Sequence, residues 1–167
     1  MVQKIGYSTF NARSEELAGK PSFRAAWKAS RRCIVPLTGF YEWKKLDEKG
    51  KDKQPYLVTL KDGASMGLAG LWEERKQDGK EVMRSFTIVT TAANKFMSDL
   101  HDRMPVILDQ KNAAAWLNED ATTPEDAAEL MKACPDKWLT KVPVDKRMGN
   151  VKNWQEEYCR PIEAARP

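Results

Sequence analysis

The sequence predicts a mixed α+β domain built on a mainly antiparallel sheet. Short strand patterns are more numerous than helical ones, and Asp-Gly turn signals at Asp62-Gly63 and Asp78-Gly79 mark hairpins. The helical patterns are inserted between strands and do not alternate with them as in a doubly wound fold. At 167 residues, with 41% hydrophobic and 31% charged residues, the chain can bury the core of one soluble domain. We therefore expect a single domain over residues 1–167.

The predicted strands are short runs rich in β-branched and aromatic residues, separated by turn residues. Pro36 and Gly39 interrupt the second and third runs, which are therefore either two strands or one bent strand. The runs cover residues 4–11, 33–35, 39–44, 55–60, 66–72, 85–91, 106–108 and 139–144. Residues 45–53 form a polar hairpin loop between the third and fourth runs. Residues 101–105 read as a tight polar connection.

The helical patterns carry recognisable start and stop signals. Pro21 suits the first position of a helix, Asp109 is a good N-cap, and Thr123 opens an N-terminal signature. Pro135 ends the last of these helices. The patterns predict a short turn over 15–18, a helix from residue 21, and helices over 92–100, 111–117 and 124–134.

Composition excludes several classes of protein. No apolar run approaches the roughly 20 residues that span a bilayer, and the first residues lack the apolar core of a signal peptide. We expect a cytoplasmic protein. Three cysteines without metal-ligand spacing predict no disulfide framework and no zinc site. We also expect no cofactor. The net charge of +4 permits an anionic partner without requiring one.

His101 is the only histidine of the chain. A lone histidine is more often structural than functional. Two features favour function here, because His101 lies among charged residues next to a proline and follows a predicted helix end. We take it as a candidate for proton transfer.

Glu42 lies between two aromatic residues in a predicted strand. It is either an outward-facing glutamate paired with a cross-strand lysine, or a carboxylate in an apolar surround that suits acid–base work. The residues favour neither alternative. Cys33 lies in a short apolar run, where a cysteine is usually a small buried hydrophobe. A thiol nucleophile formed by Cys33 with His101 is a weaker alternative.

Asn11 and Arg13 follow the first strand, two residues apart. On an extended segment their side chains lie on one face and offer a planar set of donors to a phosphate or a base edge. From the residues alone, a turn asparagine and a surface arginine are the favoured interpretation.

Five sequence blocks, in this order, resemble the SRAP (SOS-response-associated peptidase) family. Each block is weak alone, but together they span nearly the whole chain and are specific. They are GYSTFNARSE (6–15), RCIVPLTGFYEW (32–43), IVTTAAN (88–94), HDRMP (101–105) and GNVKN (149–153). The resemblance implies a barrel-like, mainly antiparallel sheet with inserted helices.

The resemblance also implies a function in DNA damage. Members bind single-stranded DNA and capture abasic sites covalently, because an N-terminal cysteine attacks the opened sugar and its amine and thiol close a thiazolidine. It implies catalytic roles for Asn11, which orients the sugar, and for Glu42 and His101, which transfer protons. We therefore expect abasic single-stranded DNA as the partner, no membrane partner, and association with the nucleoid through DNA.

The same resemblance assigns DNA contacts to Arg13, Thr90 and Arg103. The chain departs from the family at position 2, where Val2 stands in place of the cysteine. We expect that the family's N-terminal segment is missing, so that crosslinking is lost. The alternatives are a non-covalent module for single-stranded DNA and, less favoured, a thiol peptidase. Apolar surface left by the missing segment predicts either self-association or rearrangement.

Overall fold

The computed structural model describes residues 9–76, 81–149 and 155–162. These residues fall into two compact units, each assembled from three segments of the chain. The first unit takes Met1–Pro36, Gly67–Ala92 and Arg103–Cys134. The second takes Leu37–Met66, Ala93–Asp102 and Pro135–Pro167. None of the described helices is both long and apolar enough to cross a membrane.

The described residues form nine strands and three α-helices, numbered in chain order. The strands are β1 (Asn11–Arg13), β2 (Arg32–Leu37), β3 (Phe40–Lys45), β4 (Lys53–Leu60), β5 (Met66–Arg75), β6 (Met83–Ala92), β7 (Arg103–Pro105), β8 (Ile107–Leu108) and β9 (Leu139–Pro143). The helices are α1 (Arg24–Lys28), α2 (Gln110–Leu117) and α3 (Pro124–Glu129). Short 3-10 turns join several of them, among them Ser14–Glu16 and Met97–Asp99.

Two sheets account for the strands. The first unit's sheet has the order β1-β6-β5-β2, with β7 paired to β6 and β8 paired to β5. The second unit's sheet has the order β3-β4-β9, and all of its pairings are antiparallel. The pairing of β1 with β6 is parallel, which places Asn11 beside Ile88 and Arg13 beside Thr90. The predicted mixed α+β class is confirmed.

The first unit's core packs the sheet against its helices. Ala12 of β1 and Val89 of β6 are fully buried in it. Trp27 and Trp116 meet with ring centroids 6.2 Å apart. Arg32, itself buried, donates hydrogen bonds to the carbonyls of Trp116 (2.6 Å), Thr122 (2.9 Å) and Asn118 (3.2 Å). One charged side chain thus satisfies three carbonyls where α2 ends.

Gly39 marks the start of β3 in the second unit. A Cβ atom at this position would lie 2.7 Å from the Val58 carbonyl oxygen of β4. Only a residue without a side chain allows the two strands this approach. A separate apolar cluster of Val144, Met148 and Tyr158 packs elsewhere in this unit.

The predicted helix over residues 92–100 is wrong. Strand β6 continues to Ala92, because Thr91 and Ala92 pair with Met104 and Arg103 of β7. Only the 3-10 turn Met97–Asp99 is helical in this stretch. The same pairing corrects the polar connection over 101–105, since its second half is strand β7.

The predicted N-terminal caps of helices α2 and α3 are confirmed. Asp109 caps α2 by accepting a hydrogen bond from the Asn112 N–H at 2.7 Å, and Thr123 forms a capping box with Asp126. Helix α3 nevertheless ends at Glu129, short of Pro135. The first predicted strand is observed as Asn11–Arg13, whereas residues 4–8, the turn over 77–80 and residues 150–153 of the last motif block lie outside the described residues.

Candidate functional site

Strand β1 presents two predicted site residues on one face. Ala12 points into the core and is fully buried, whereas Asn11 and Arg13 on either side are exposed. Because alternate residues of a strand face opposite sides, the amide and the guanidinium share the solvent face. The amide offers both a donor and an acceptor to a ligand.

Arg13 is only weakly engaged within the protein. Its Nη1 lies 3.9 Å from Glu16 Oε1, and 62% of its side chain is exposed. Ion pairs of this length at an exposed position add little stability. The guanidinium is therefore available to a stronger anion, such as a phosphate.

Thr90 and Arg103 lie beside this pair through backbone pairing. The parallel register places Thr90 next to Arg13, and the Thr90 hydroxyl donates to the Ala12 carbonyl at 3.4 Å. Arg103 arrives on β7, and its Nη2 donates to the Thr90 carbonyl at 2.7 Å. Four of the six predicted site residues therefore form one cluster on three neighbouring strands of the first unit, which we call the strand cluster (Asn11, Arg13, Thr90 and Arg103).

Glu15 contacts the strand cluster, but the sequence analysis did not predict it as a site residue. Its two carboxylate oxygens accept from Nη1 and Nη2 of Arg103, at 2.7 and 2.9 Å. The hydrogen bonds from Arg103 hold the pKa of Glu15 at about 2, well below its usual value. The signal was present, since Glu15 ends the first motif block, but the partner lies 88 residues further along the chain.

The other two predicted residues, Glu42 and His101, line one cleft of about 770 Å³ in the second unit. Glu42 is half-buried on β3, and its Oε1 accepts the Trp43 N–H at 3.1 Å. The residue directly opposite it on β4 is Tyr56, so the cross-strand lysine expected for a purely structural glutamate is not its partner. The cleft lining also includes charged side chains of both signs, Lys45 and Lys53 on one hand and Asp99 and Asp102 on the other.

His101 follows the 3-10 turn Met97–Asp99. The backbone N–H of His101 donates to the Met97 carbonyl at 3.0 Å. The ring Nδ1 of His101 lies 2.9 Å from the Asp102 carboxylate. The Asp102 carboxylate thus holds Nδ1, and Nε2 is the ring nitrogen on the far side of the imidazole. The imidazole is about half-exposed, within reach of a ligand in the cleft.

A charge network holds the turn that carries His101. The Asp99 carboxylate accepts from Lys44 of β3 at 2.7 Å and from Lys141 of β9 at 2.8 Å. The hydrogen bonds from Lys141 and Lys44 lower the pKa of Asp99. Asp99 therefore ties the turn before His101 to the strand that bears Glu42, a positioning role that no local sequence pattern indicated.

Cys33 does not have the environment of a reactive thiol. It is half-buried on β2, and burial raises the pKa of its thiol, so little thiolate forms at neutral pH. A thiol nucleophile at this position has no structural support. Within the described ranges, no group of three or more His, Cys, Asp or Glu side chains could hold a metal ion.

Comparison of the sequence with known proteins gives consistent matches. Residues 1–151 match the family model described as SOS response associated peptidase (SRAP). The abasic site processing protein YoqW of Bacillus subtilis is 44% identical over 130 residues, which are 78% of this chain and 57% of that protein. The abasic site processing protein YedK of Escherichia coli is 32% identical over 153 residues, which are 91% of this chain and 67% of that protein.

Solved structures agree. A crystal structure of a protein from Bacteroides thetaiotaomicron has a TM-score of 0.79 and 30% identity, covering 87% of this chain and 62% of that one. A second, from Bordetella bronchiseptica, has a TM-score of 0.72 and 30% identity, covering 81% of this chain and 64% of that one. Since the family model matches most of its length, this chain, which spans 57% of its Bacillus relative, belongs to the SRAP family.

Proposed function

We propose that this chain recognises single-stranded DNA at abasic sites through the strand cluster. The observation that carries the proposal is the exposed pair Asn11 and Arg13 on one face of β1, with Thr90 and Arg103 on the adjoining strands. The names of its relatives, which are abasic site processing proteins, support the substrate class.

The chemistry of an abasic nucleotide suits this set of groups. Without a base, the nucleotide offers only phosphate oxygens, sugar hydroxyls and the aldehyde of the opened sugar. A guanidinium binds a phosphate through two parallel hydrogen bonds, and an amide can both donate to and accept from a sugar. Phosphate contacts of this kind make binding to single strands depend on salt. Arg13 and Asn11 are the groups we assign to the phosphate and the sugar.

Glu42 and His101 are the groups that we assign to proton transfer. Opening the sugar ring moves one proton from the anomeric hydroxyl and delivers another to the ring oxygen. A carboxylate and an imidazole in one cleft can exchange these protons near neutral pH. Support comes from their common position in the second unit's cleft.

For the polypeptide of 167 residues we propose binding without covalent capture. The thiazolidine implied by the family requires an amine and a thiol on the same terminal residue. Val2 carries no thiol, and the cysteines of the chain are the internal residues Cys33, Cys134 and Cys159. Incubation with an abasic single strand and denaturing electrophoresis should show no shifted band. A heat-stable adduct would contradict this part of the proposal.

Fluorescence anisotropy with labelled single strands tests the binding itself. The protein should bind an abasic strand more tightly than an intact strand of the same length, and duplex DNA more weakly than either. Arg13→Ala should lower the salt dependence of log K by about 0.7, the contribution of one phosphate contact on a single strand. Arg24→Ala, an equal charge change on the exposed side of α1, should leave the preference for abasic DNA intact. No binding to any strand, or no preference for the abasic one, would refute the function.

We also propose that the protein self-associates through apolar side chains of the first unit. Phe10 and Phe86 are exposed and line the same cavity of the first unit, with 59% of Phe86 accessible. Patches of this kind on soluble proteins commonly mark contact surfaces. Analytical ultracentrifugation should show a concentration-dependent dimer, and Phe86→Ser should weaken it. Leu117 on α2 is exposed to a similar degree, so Leu117→Ser is the control and should leave the dimer unchanged. A monomer at all concentrations would exclude self-association.

A further inference from the structure

We propose that Glu15 competes with DNA phosphate for Arg103 and thereby sets the affinity of the strand cluster for single-stranded DNA. This inference rests on the proposed function, since it needs Arg103 to contact the DNA backbone. It adds a residue that weakens DNA binding, whereas Arg13 and Arg103 strengthen it. Removing Glu15 should strengthen binding.

The geometry of the pair is that of a phosphate complex. Both carboxylate oxygens of Glu15 lie opposite Nη1 and Nη2 of Arg103, at 2.7 and 2.9 Å. Guanidinium groups bind carboxylate and phosphate with the same two-pronged arrangement. The Glu15 carboxylate therefore occupies the position in which a phosphate would make its strongest contact with Arg103.

Burial differs between the two partners in the direction that competition requires. The Arg103 side chain is only 18% exposed, whereas 57% of the Glu15 side chain is exposed. Glu15 can rotate into solvent at low cost, and Arg103 cannot follow it. An incoming phosphate would thus meet a fixed guanidinium from which the carboxylate can be displaced.

Arg103 does not depend on Glu15 for its position. Its Nη2 donates to the Thr90 carbonyl at 2.7 Å, and its backbone lies on β7, opposite Ala92 of β6. These contacts would remain after the carboxylate leaves. A purely structural role for Glu15, in which it alone holds Arg103 in place, predicts weaker DNA binding on its removal and so can be distinguished.

The competition operates throughout the neutral range. Because the pKa of Glu15 is held at about 2, the carboxylate is charged at any pH at which the protein would meet DNA. Glu15 therefore lowers affinity constantly and does not act as a pH switch.

The test is a salt titration of DNA binding with a fluorescein-labelled oligothymidylate of about 15 nucleotides, within the usual range of site sizes. Glu15→Gln should steepen the slope of log K against log salt by up to about 0.7, because the phosphate contact with Arg103 that Glu15 contests in the wild type then forms fully. Over one decade of salt, a slope change of about 0.7 corresponds to an affinity gain of about 5-fold at the low-salt end.

Glu129→Gln is the matched control for charge alone. Glu129 lies on α3 of the same unit, is exposed, and pairs with Lys132 at 2.8 Å, so its loss changes the net charge equally. It should leave the slope nearly unchanged. The double variant Glu15→Gln/Arg103→Ala should bind no better than Arg103→Ala alone, since the two groups act as one unit.

Each result supports or overturns the inference. Equal slopes for Glu15→Gln and Glu129→Gln, or weaker binding by Glu15→Gln, would overturn it while the proposed function stands. An absence of wild-type binding would instead refute the proposed function. If Glu15→Gln does not fold, Glu15→Asp takes its place. The aspartate side chain is one methylene shorter, so its carboxylate reaches Arg103 less well and competes less with phosphate. The DNA affinity of this variant should therefore exceed the wild-type value, and an affinity at or below that value would count against competition.

Discussion

The strand cluster of the first unit and the cleft of the second unit are supported in different ways. Arg13, Thr90 and Arg103 are positioned by backbone pairing among β1, β6 and β7. Glu42 also lies on a strand, but His101 follows a 3-10 turn that is held by the side-chain network around Asp99. Backbone ladders are insensitive to salt, whereas exposed charge pairs are screened by it. The groups that we propose for recognition are thus held by backbone pairing, whereas His101, which we propose for proton transfer, is held by side-chain contacts that salt can weaken.

Arg32 gives the largest expected effect in the first unit. Arg32→Ala would leave the carbonyls of Trp116, Asn118 and Thr122 without their buried donor. We expect the free energy of unfolding to fall by about 3 kcal/mol. Denaturant titration measures it. Arg31→Ala, which removes a neighbouring arginine paired with Glu73 near the surface, should cost less than about 1 kcal/mol. Equal losses would show that burial does not distinguish the two arginines.

Gly39 gives the largest expected effect in the second unit. A methyl group at Gly39 would meet the Val58 carbonyl oxygen, so Gly39→Ala should destabilise the protein by about 2 kcal/mol through strand displacement. Thermal unfolding checks this value. Gly19→Ala is the control, because apart from the neighbouring residues of the chain no atom lies within 4 Å of the added Cβ there. If Gly39→Ala proved neutral, the two strands would have to separate more easily than the close approach implies.

Glu15 makes the strand cluster sensitive to acid. Its pKa lies at about 2 in the folded protein against an ordinary value of 4.5. Its contribution to stability is therefore complete above about pH 4.5 and is lost as the pH falls toward 2. Because Glu15 is largely exposed, we expect less than about 1 kcal/mol. Urea titrations of wild type and Glu15→Gln should converge as pH falls through this window. Curves that stay parallel would contradict the assignment.

Asp99 should show the smallest effect and the largest dependence on salt. Asp99→Asn weakens two exposed ion pairs, with Lys44 and Lys141, and should cost about 0.5 kcal/mol at low ionic strength. Near 1 M salt, where the Debye length falls to about 3 Å, the difference should become smaller, although these contacts of 2.7 and 2.8 Å lie within that length. Chemical unfolding at both salt concentrations measures it. A loss of the same size at both concentrations would show that the network is as insensitive to salt as the backbone ladders.

Sequence-based prediction succeeded where the determining contacts are local. Asp109 and Thr123 were identified as helix caps because each bonds a backbone N–H three residues away. The shared face of Asn11 and Arg13 follows equally from the alternation of one strand. Motif resemblance, rather than physical pattern, joined these residues to Thr90, Arg103, Glu42 and His101.

The errors arose where distant segments decide. The stretch from Ala92 to Leu100 has helical periodicity, but Ala92 pairs with Arg103 at the end of β6 and only Met97–Asp99 forms a 3-10 turn; no local signal reports that pairing. Glu15 was overlooked for the same reason, since its partner is distant in sequence. The assignment of the six site residues to DNA and to proton transfer stays a prediction, and so does a single domain over residues 1–167.

The interleaving of the two units has a consequence for how the protein is made. Each unit draws on three separate stretches of chain, and the first unit is complete only once the stretch ending at Cys134 has been synthesised. Arg32 leaves the ribosome long before the carbonyls of residues 116–122 that it serves. Until then Arg32 lacks the carbonyl acceptors that it has in the folded core. The strand edges of the incomplete unit are also exposed, and exposed edges favour aggregation. Excised fragments of either unit should accordingly fold poorly, and slow decoding within the middle stretches would prolong the vulnerable interval.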